Sequence, residues 1–236
     1  MVVDRSDRIG SLFFWFGAHH RHQIHLAETQ LTDDGVFLDV GANIGEFTVA
    51  MAMAKPAARV IAFEPNAAVR SILLQNIGAN SIRNVRCIPS ALGEESTMRT
   101  LYACDDSALT SLLSFTPKHI ASAQVDVLTL DDFVRSQAVD RIDLIKIDVE
   151  GYELNVLRGA KESLERFRPS IILEVNSITS RAAGFELSQL FDLLRSHRYQ
   201  FFVYRRRSWT PVGSELPTQE DIWAQPEERV GRVDKP

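Results

Sequence analysis

Leu38-Asp-Val-Gly-Ala-Asn-Ile-Gly45 joins the end of a β-rich run to the start of an apolar, helix-forming one. Val36-Phe-Leu-Asp-Val40 reads as a strand, and 47–55 reads as a helix closed by Pro56. Gly41 and Gly45 lack a Cβ, so the turn between them can be tight and a ligand can approach the backbone. In open α/β sheets, ligands bind outside the carboxyl ends of the strands, where the strand order reverses. The spacing is G-x-x-x-G. It is neither the G-x-G-x-x-G dinucleotide fingerprint nor a G-K-[ST] phosphate loop, so a nucleoside triphosphate is a poor fit. The competing reading is a glycine turn that holds no ligand.

Working outward, the same alternation repeats. Strands are predicted over 59–63, 85–88, 98–103, 125–128, 143–147, 170–175, 200–204 and 221–224. Helices are predicted from Asn66 toward Gly78, from Asp131, over 153–167 and over 186–197. Residues 105–117 read as a loop. Strands alternating with helices imply a mostly parallel sheet covered by helices on both faces. The domain organisation expected is an N-terminal helical element over 1–30, one α/β domain over 31–226 and a polar tail over 227–236.

Composition sets the outer limits. The chain has 236 residues, 45% hydrophobic and 24% charged, which suits one large domain with a sizeable core. Lysine and arginine number 26 against 31 acidic residues, a net charge of −5 with no global pull toward nucleic acid. Two cysteines, Cys87 and Cys104, make neither a disulfide framework nor a zinc pattern, and point to a reducing cytoplasm. The longest N-terminal apolar cluster, Leu12-Phe-Phe-Trp-Phe16, is too short for a membrane span, and no signal peptide is read. These aromatics are expected to pack on the core or on a second copy of the chain.

Two further segments carry chemistry. Glu64, in Ala62-Phe-Glu-Pro-Asn66, ends the second strand about 20 residues after the glycine loop. A carboxylate there can accept hydrogen bonds from both hydroxyls of a ribose. The third segment is Ile145-Lys-Ile-Asp-Val-Glu-Gly151. Strand alternation places Lys146 and Asp148 on one side, with Asp148 and Glu150 near the carboxyl edge. A buried lysine demands a partner, and Glu174 on the next strand is the expected one.

Together these segments, with Val156-Leu-Arg-Gly-Ala160 and Leu173-Glu-Val175, resemble the FkbM family of methyltransferases from about residue 36 to 176. The family consists of S-adenosylmethionine-dependent enzymes of the class I, Rossmann-like fold. The resemblance implies about seven strands with an antiparallel final hairpin made by the 200–204 and 221–224 strands. It implies Asp39, Gly41, Asn43 and Gly45 around the methionine moiety, Glu64 on the ribose with Asn66 nearby, and Ser90 and Ala91 flanking the adenine. Asp148 would sit close to the sulfonium and the acceptor.

The activity expected is O-methylation of a small hydroxylated molecule, plausibly a sugar or glycosylated natural product. Asp148 or Glu150 would serve as base. Two rival readings are a nicotinamide-dependent oxidoreductase on a related sheet and a catalytically silent cofactor-binding module. A Mg²⁺ ion on Asp148, Glu174 and Asn176 competes with internal hydrogen bonding of the same groups, and no metal is expected. The histidines His19, His20, His22 and His25 read as a polar helix face, and Arg205-Arg-Arg207 as a solvated strand end.

Overall fold

A computed structural model describes residues 20–103, 111–112 and 120–230. The Leu12–Phe16 cluster, His19, Cys104, most of the 105–117 loop and the end of the polar tail lie outside the described residues.

The predicted alternation is present. The chain begins with α1 (Arg21–Gln30), then runs β1 (Val36–Val40), α2 (Glu46–Ala54), β2 (Arg59–Phe63), α3 (Ala67–Ala79) and β3 (Val85–Ile88). After β4 (Ala91–Leu92), β5 (Thr97–Ala103), β6 (Ile120–Leu128) and α4 (Leu130–Ser136) comes β7 (Leu144–Ile147). The second half holds α5 (Glu153–Arg158), α6 (Lys161–Phe167), β8 (Ser170–Asn176), α7 (Ser177–Ala182), α8 (Leu187–Ser196), β9 (Tyr199–Arg205), β10 (Ser208–Pro211) and β11 (Gln219–Pro226).

The main sheet has eight strands, where about seven were expected, in the order β10-β9-β11-β8-β7-β1-β2-β3. Strands β8, β7, β1, β2 and β3 pair in parallel, and β11 enters antiparallel between β8 and β9. The extra strand is β10, which pairs with β9 across a tight turn at Arg206 and Arg207, both at positive φ. Trp209 of β10 packs against Trp223 and Tyr204, which fixes the added edge. The antiparallel pairing of the 200–204 and 221–224 segments is as expected.

The central strands are buried on both faces, and successive side chains sort to opposite cores. One core takes Val36, Leu38, Val40, Ile145, Ile147 and Leu173 beneath α4, α5, α6 and α8. The other takes Phe37, Val60, Leu144, Ile172 and Trp223 beneath α1 and α2. Leu26, Ala27 and Leu31 tuck the N-terminal helix into that second core.

Three features differ from the expected elements. The helix expected over 153–167 breaks in two because the Asp131 carboxylate, from α4, accepts from the backbone amides of Glu162 at 3.0 Å and Ser163 at 2.8 Å. That is a cap supplied from another element, which stops α5 and starts α6. A separate three-stranded sheet, β4-β6-β5, stands beside the main one. Its residues Ala91, Leu101, Val125 and Val127, with the neighbouring Leu112, close around Tyr152, beside the turn after β7. The short helix α7 departs from the expected pattern; Asn176 starts it, its Oδ1 accepting from the amides of Ile178 and Thr179.

Candidate active site

The chain runs outward from β1 through β2 to β3, then returns to the other side of β1 as β7. The strand order therefore reverses between β1 and β7, and the carboxyl ends of these two strands frame a crevice. The Gly41–Gly45 loop leaves one wall and Asp148 the other. The two walls touch. Gly41 has φ +77°, and a Cβ there would lie 1.9 Å from the Asp148 carbonyl oxygen. Only glycine fits a backbone approach that close.

The predicted cofactor residues fall along this crevice. Asp39, fully buried, accepts a 2.6 Å hydrogen bond from Thr48 Oγ1, while its Oδ1 has no hydrogen-bond partner. Burial pushes its carboxyl above the usual range, opposed chiefly by Lys146. Asn43 adopts φ +50° and turns its backbone amide to Glu64 Oε2 at 2.9 Å. The second Glu64 oxygen accepts from the Asn66 amide at 2.8 Å. Glu64 thus links the loops after β1 and β2. Burial raises its carboxyl to about 7, against those two amides. The Asn66 side chain faces its own helix, accepting from Ala68 and Val69 to cap α3. Ser90 and Ala91 are buried after β3, with Ala91 opening β4 of the small sheet.

The expected pair of Lys146 and Glu174 is corrected by the structure. Lys146 Nζ lies 3.2 Å from Asp148, 3.8 Å from Asp39 and 3.2 Å from the Gly41 carbonyl oxygen. Register explains the change. Lys146 is level with Asp39 on one side and with Ile172 on the other. Glu174 stands two residues further along, level with Asp221 of β11 and beyond the lysine. Burial works against the Lys146 charge, but Asp148 and Asp39 hold its ammonium above the ordinary value. Burial also opposes the Asp148 charge, yet Lys146 beside it keeps that carboxyl low.

Glu174 instead joins an acidic cluster. One carboxylate oxygen each from Asp148, Glu150 and Glu174 lies within 4.8 Å of the others. Burial, then the neighbouring Asp148, raises Glu174 to about 10, so it carries a proton near neutrality and hydrogen-bonds Asp148. Asn176, named in the metal reading, is spent on α7. Both catalytic candidates, Asp148 and Glu150, therefore face the same space as Glu174.

Several contributors carry no motif in the sequence. His20 donates its backbone amide to Glu46 at 2.9 Å and sets its ring on the same carboxylate at 2.9 Å, which seats the start of α1 over the crevice. Gln23 donates to Asp221. His22 stacks on Tyr204 and so serves packing. Arg70 donates to the carbonyls of Glu64 and Pro65 at 2.7 and 2.9 Å, bracing the turn that presents Glu64. The histidine run marks His20 and His22, but as a polar helix face, whereas His20 precedes the helix and pairs with Glu46; Gln23 and Arg70 have no local signal that would have found them.

Residues 39–201 match the family described as the methyltransferase FkbM domain. The chain belongs to the FkbM methyltransferase family. This FkbM-family chain is 30% identical over 212 residues to the AMB antimetabolite synthetase AmbE of Pseudomonas aeruginosa, covering 73% of this chain but only 10% of that protein. It is 26% identical over 190 residues to the hexuronic acid methyltransferase AglP of Haloferax volcanii, covering 78% and 75% of the two chains. It is 25% identical over 192 residues to the 2-O-methyltransferase NoeI of Sinorhizobium fredii, covering 75% and 76%. The crystal structure of methyltransferase FkbM from Methylobacillus flagellatus shares the fold at a TM-score of 0.55 and 19% identity, over 84% of this chain and 47% of that one.

Proposed function

We propose that this chain is an S-adenosylmethionine-dependent O-methyltransferase acting on a hydroxyl of a small molecule of the sugar or glycosylated natural-product class. The observation that carries the reading is the crevice at the strand reversal, with the Glu64-bound glycine loop on one wall and Asp148 on the other. Relatives named as a 2-O-methyltransferase and a hexuronic acid methyltransferase support the acceptor class.

The residues present fit the cofactor. The buried Oδ1 of Asp39, which has no hydrogen-bond partner and the Lys146 ammonium 3.8 Å away, offers an acceptor at the methionine end of the crevice. Each Glu64 oxygen accepts one backbone amide, which leaves a lone pair on each for a ribose hydroxyl. Gly41, Asn43 and Gly45 keep the loop low, Asn66 fixes the turn after Glu64, and Ser90 and Ala91 border the adenine side. When bound, S-adenosylmethionine supplies a methyl group already activated by its sulfonium.

Asp148, held ionised by Lys146, orients the acceptor hydroxyl beside that methyl. Glu150 takes the hydroxyl proton as the oxygen becomes the nucleophile, a role worth about 10²–10⁴-fold. Protonated Glu174 keeps the cluster from carrying three like charges. No Mg²⁺ is needed in this scheme. We place 31–226 as the catalytic domain, with α1 (Arg21–Gln30) as a helical cover packed on it. No described helix is long and apolar enough to cross a membrane. The sparse cysteines favour a cytoplasmic setting.

The test is incubation with labelled methyl donor and a panel of hydroxylated acceptors, beside calorimetry with the donor and with NADH. Donor binding and label transfer to an oxygen support the proposal. Heat with NADH alone favours the oxidoreductase, and donor binding without transfer to any acceptor favours the silent module.

A further inference from the structure

The turn that presents Glu150 is strained and held from two sides. Glu150 has φ +51° and Gly151 follows at +97°. Left-handed backbone is unfavourable for a residue with a Cβ, so it persists only where surrounding contacts over-determine it. From the inside, Glu153 Oε1 accepts from the amides of Val149 at 3.2 Å and Gly151 at 3.0 Å. From the other side, Ser111, bridged to β5, donates its Oγ to the Glu150 carbonyl oxygen at 2.9 Å.

Ser111 is itself fixed. It is 2% exposed, and its backbone exchanges two hydrogen bonds with Tyr102 of β5, at 2.8 and 2.9 Å. The neighbouring Leu112 packs with Leu101 and Tyr152. Holding the Glu150 carbonyl fixes ψ at that residue. With φ already set, this determines where its Cα–Cβ bond points, and the carboxylate falls among those of Asp148 and Glu174.

We propose that Ser111 is a positioning residue for Glu150: its hydroxyl clamps the Glu150 peptide in the left-handed shape that directs the carboxylate to the acceptor. A residue bridged to β5 thereby acts on chemistry performed at the end of β7. The proposal rests on Glu150 being the proton acceptor, and the experiment separates the two claims.

Amide exchange over 148–153 is measured in the full-length protein without ligand, for wild type, Ser111→Ala and Ser111→Thr. Exchange should quicken roughly tenfold in Ser111→Ala, the loss of about one hydrogen bond, and return toward wild type in Ser111→Thr. Turnover is measured in parallel. Ser111→Ala should lower kcat roughly tenfold with KM for the methyl donor unchanged, and should cost less than about twofold when Glu150→Gln is already present. Unchanged exchange in Ser111→Ala overturns the clamp. Multiplicative effects of the two substitutions overturn the positioning role. Full turnover in Glu150→Gln with quickened exchange in Ser111→Ala overturns the role of Glu150, and the positioning role with it, while the clamp itself stands.

Discussion

Lys146 stands directly across from Asp39 on adjacent strands, yet its ammonium lies closer to Asp148, at 3.2 Å against 3.8 Å. One cation thus serves two carboxylates on the two walls of the crevice, Asp39 buried and Asp148 a quarter exposed. It also reaches the Gly41 carbonyl, so the same side chain fixes the glycine loop. A charge so placed costs desolvation and returns geometry.

Lys146→Met should therefore destabilise the fold by about 3–5 kcal/mol, since it strands two carboxylates without their counter-ion. Urea unfolding at neutral pH reads this directly. A loss under about 1 kcal/mol would show that neither carboxylate depends on the lysine.

Glu64 sets a pH dependence whose sign can be worked out. Its folded-state value near 7 lies above the ordinary 4.5, chiefly because it is buried. Between those values the folded chain holds a proton that the unfolded chain has released. Stability without ligand should fall as pH rises through that window. Glu153, likewise buried and raised to about 7, acts in the same direction. A ribose diol needs the ionised form, so donor affinity should strengthen as pH rises through about 7. Calorimetry across pH 6–8 checks the slope, and Glu64→Gln should bind roughly tenfold or more weakly, with the slope flattened.

Two glycines should answer alanine in opposite ways. At Gly41 a Cβ meets the Asp148 carbonyl oxygen at 1.9 Å on a left-handed backbone, so Gly41→Ala must part the walls. It should cost about 2 kcal/mol or more and abolish donor binding. Gly78, within α3, has open space for 4 Å around the position a Cβ would take, and no positive φ. Gly78→Ala should stabilise by about 0.5–1 kcal/mol without touching affinity. Thermal melts with and without donor compare the pair.

Turnover should persist in excess chelator. Asn176 is committed to capping α7, and the proposed proton transfer gives Asp148 and Glu150 to the acceptor hydroxyl, not to an ion. Loss of activity on chelation, restored by Mg²⁺, would give the cluster a metal role.

The sequence by itself determined the alternating architecture, the position of the crevice and the residues nearest it. These are local facts: a strand end, a glycine pair and a carboxylate two residues past Lys146 are legible because neighbours in sequence are neighbours in space. The partner of Lys146 was not legible, because it depends on how β1, β7 and β8 slide into register, and the register found leaves Glu174 two residues past the lysine. The same limit hid β10, whose turn uses Arg206 and Arg207 where a glycine or asparagine would have announced it. It hid the break at Gly159, made by a cap from Asp131, and the reach of Ser111 across 39 positions to Glu150. Only the tertiary structure decides such pairs, because their energy comes from groups that the chain brings together after its local elements have formed.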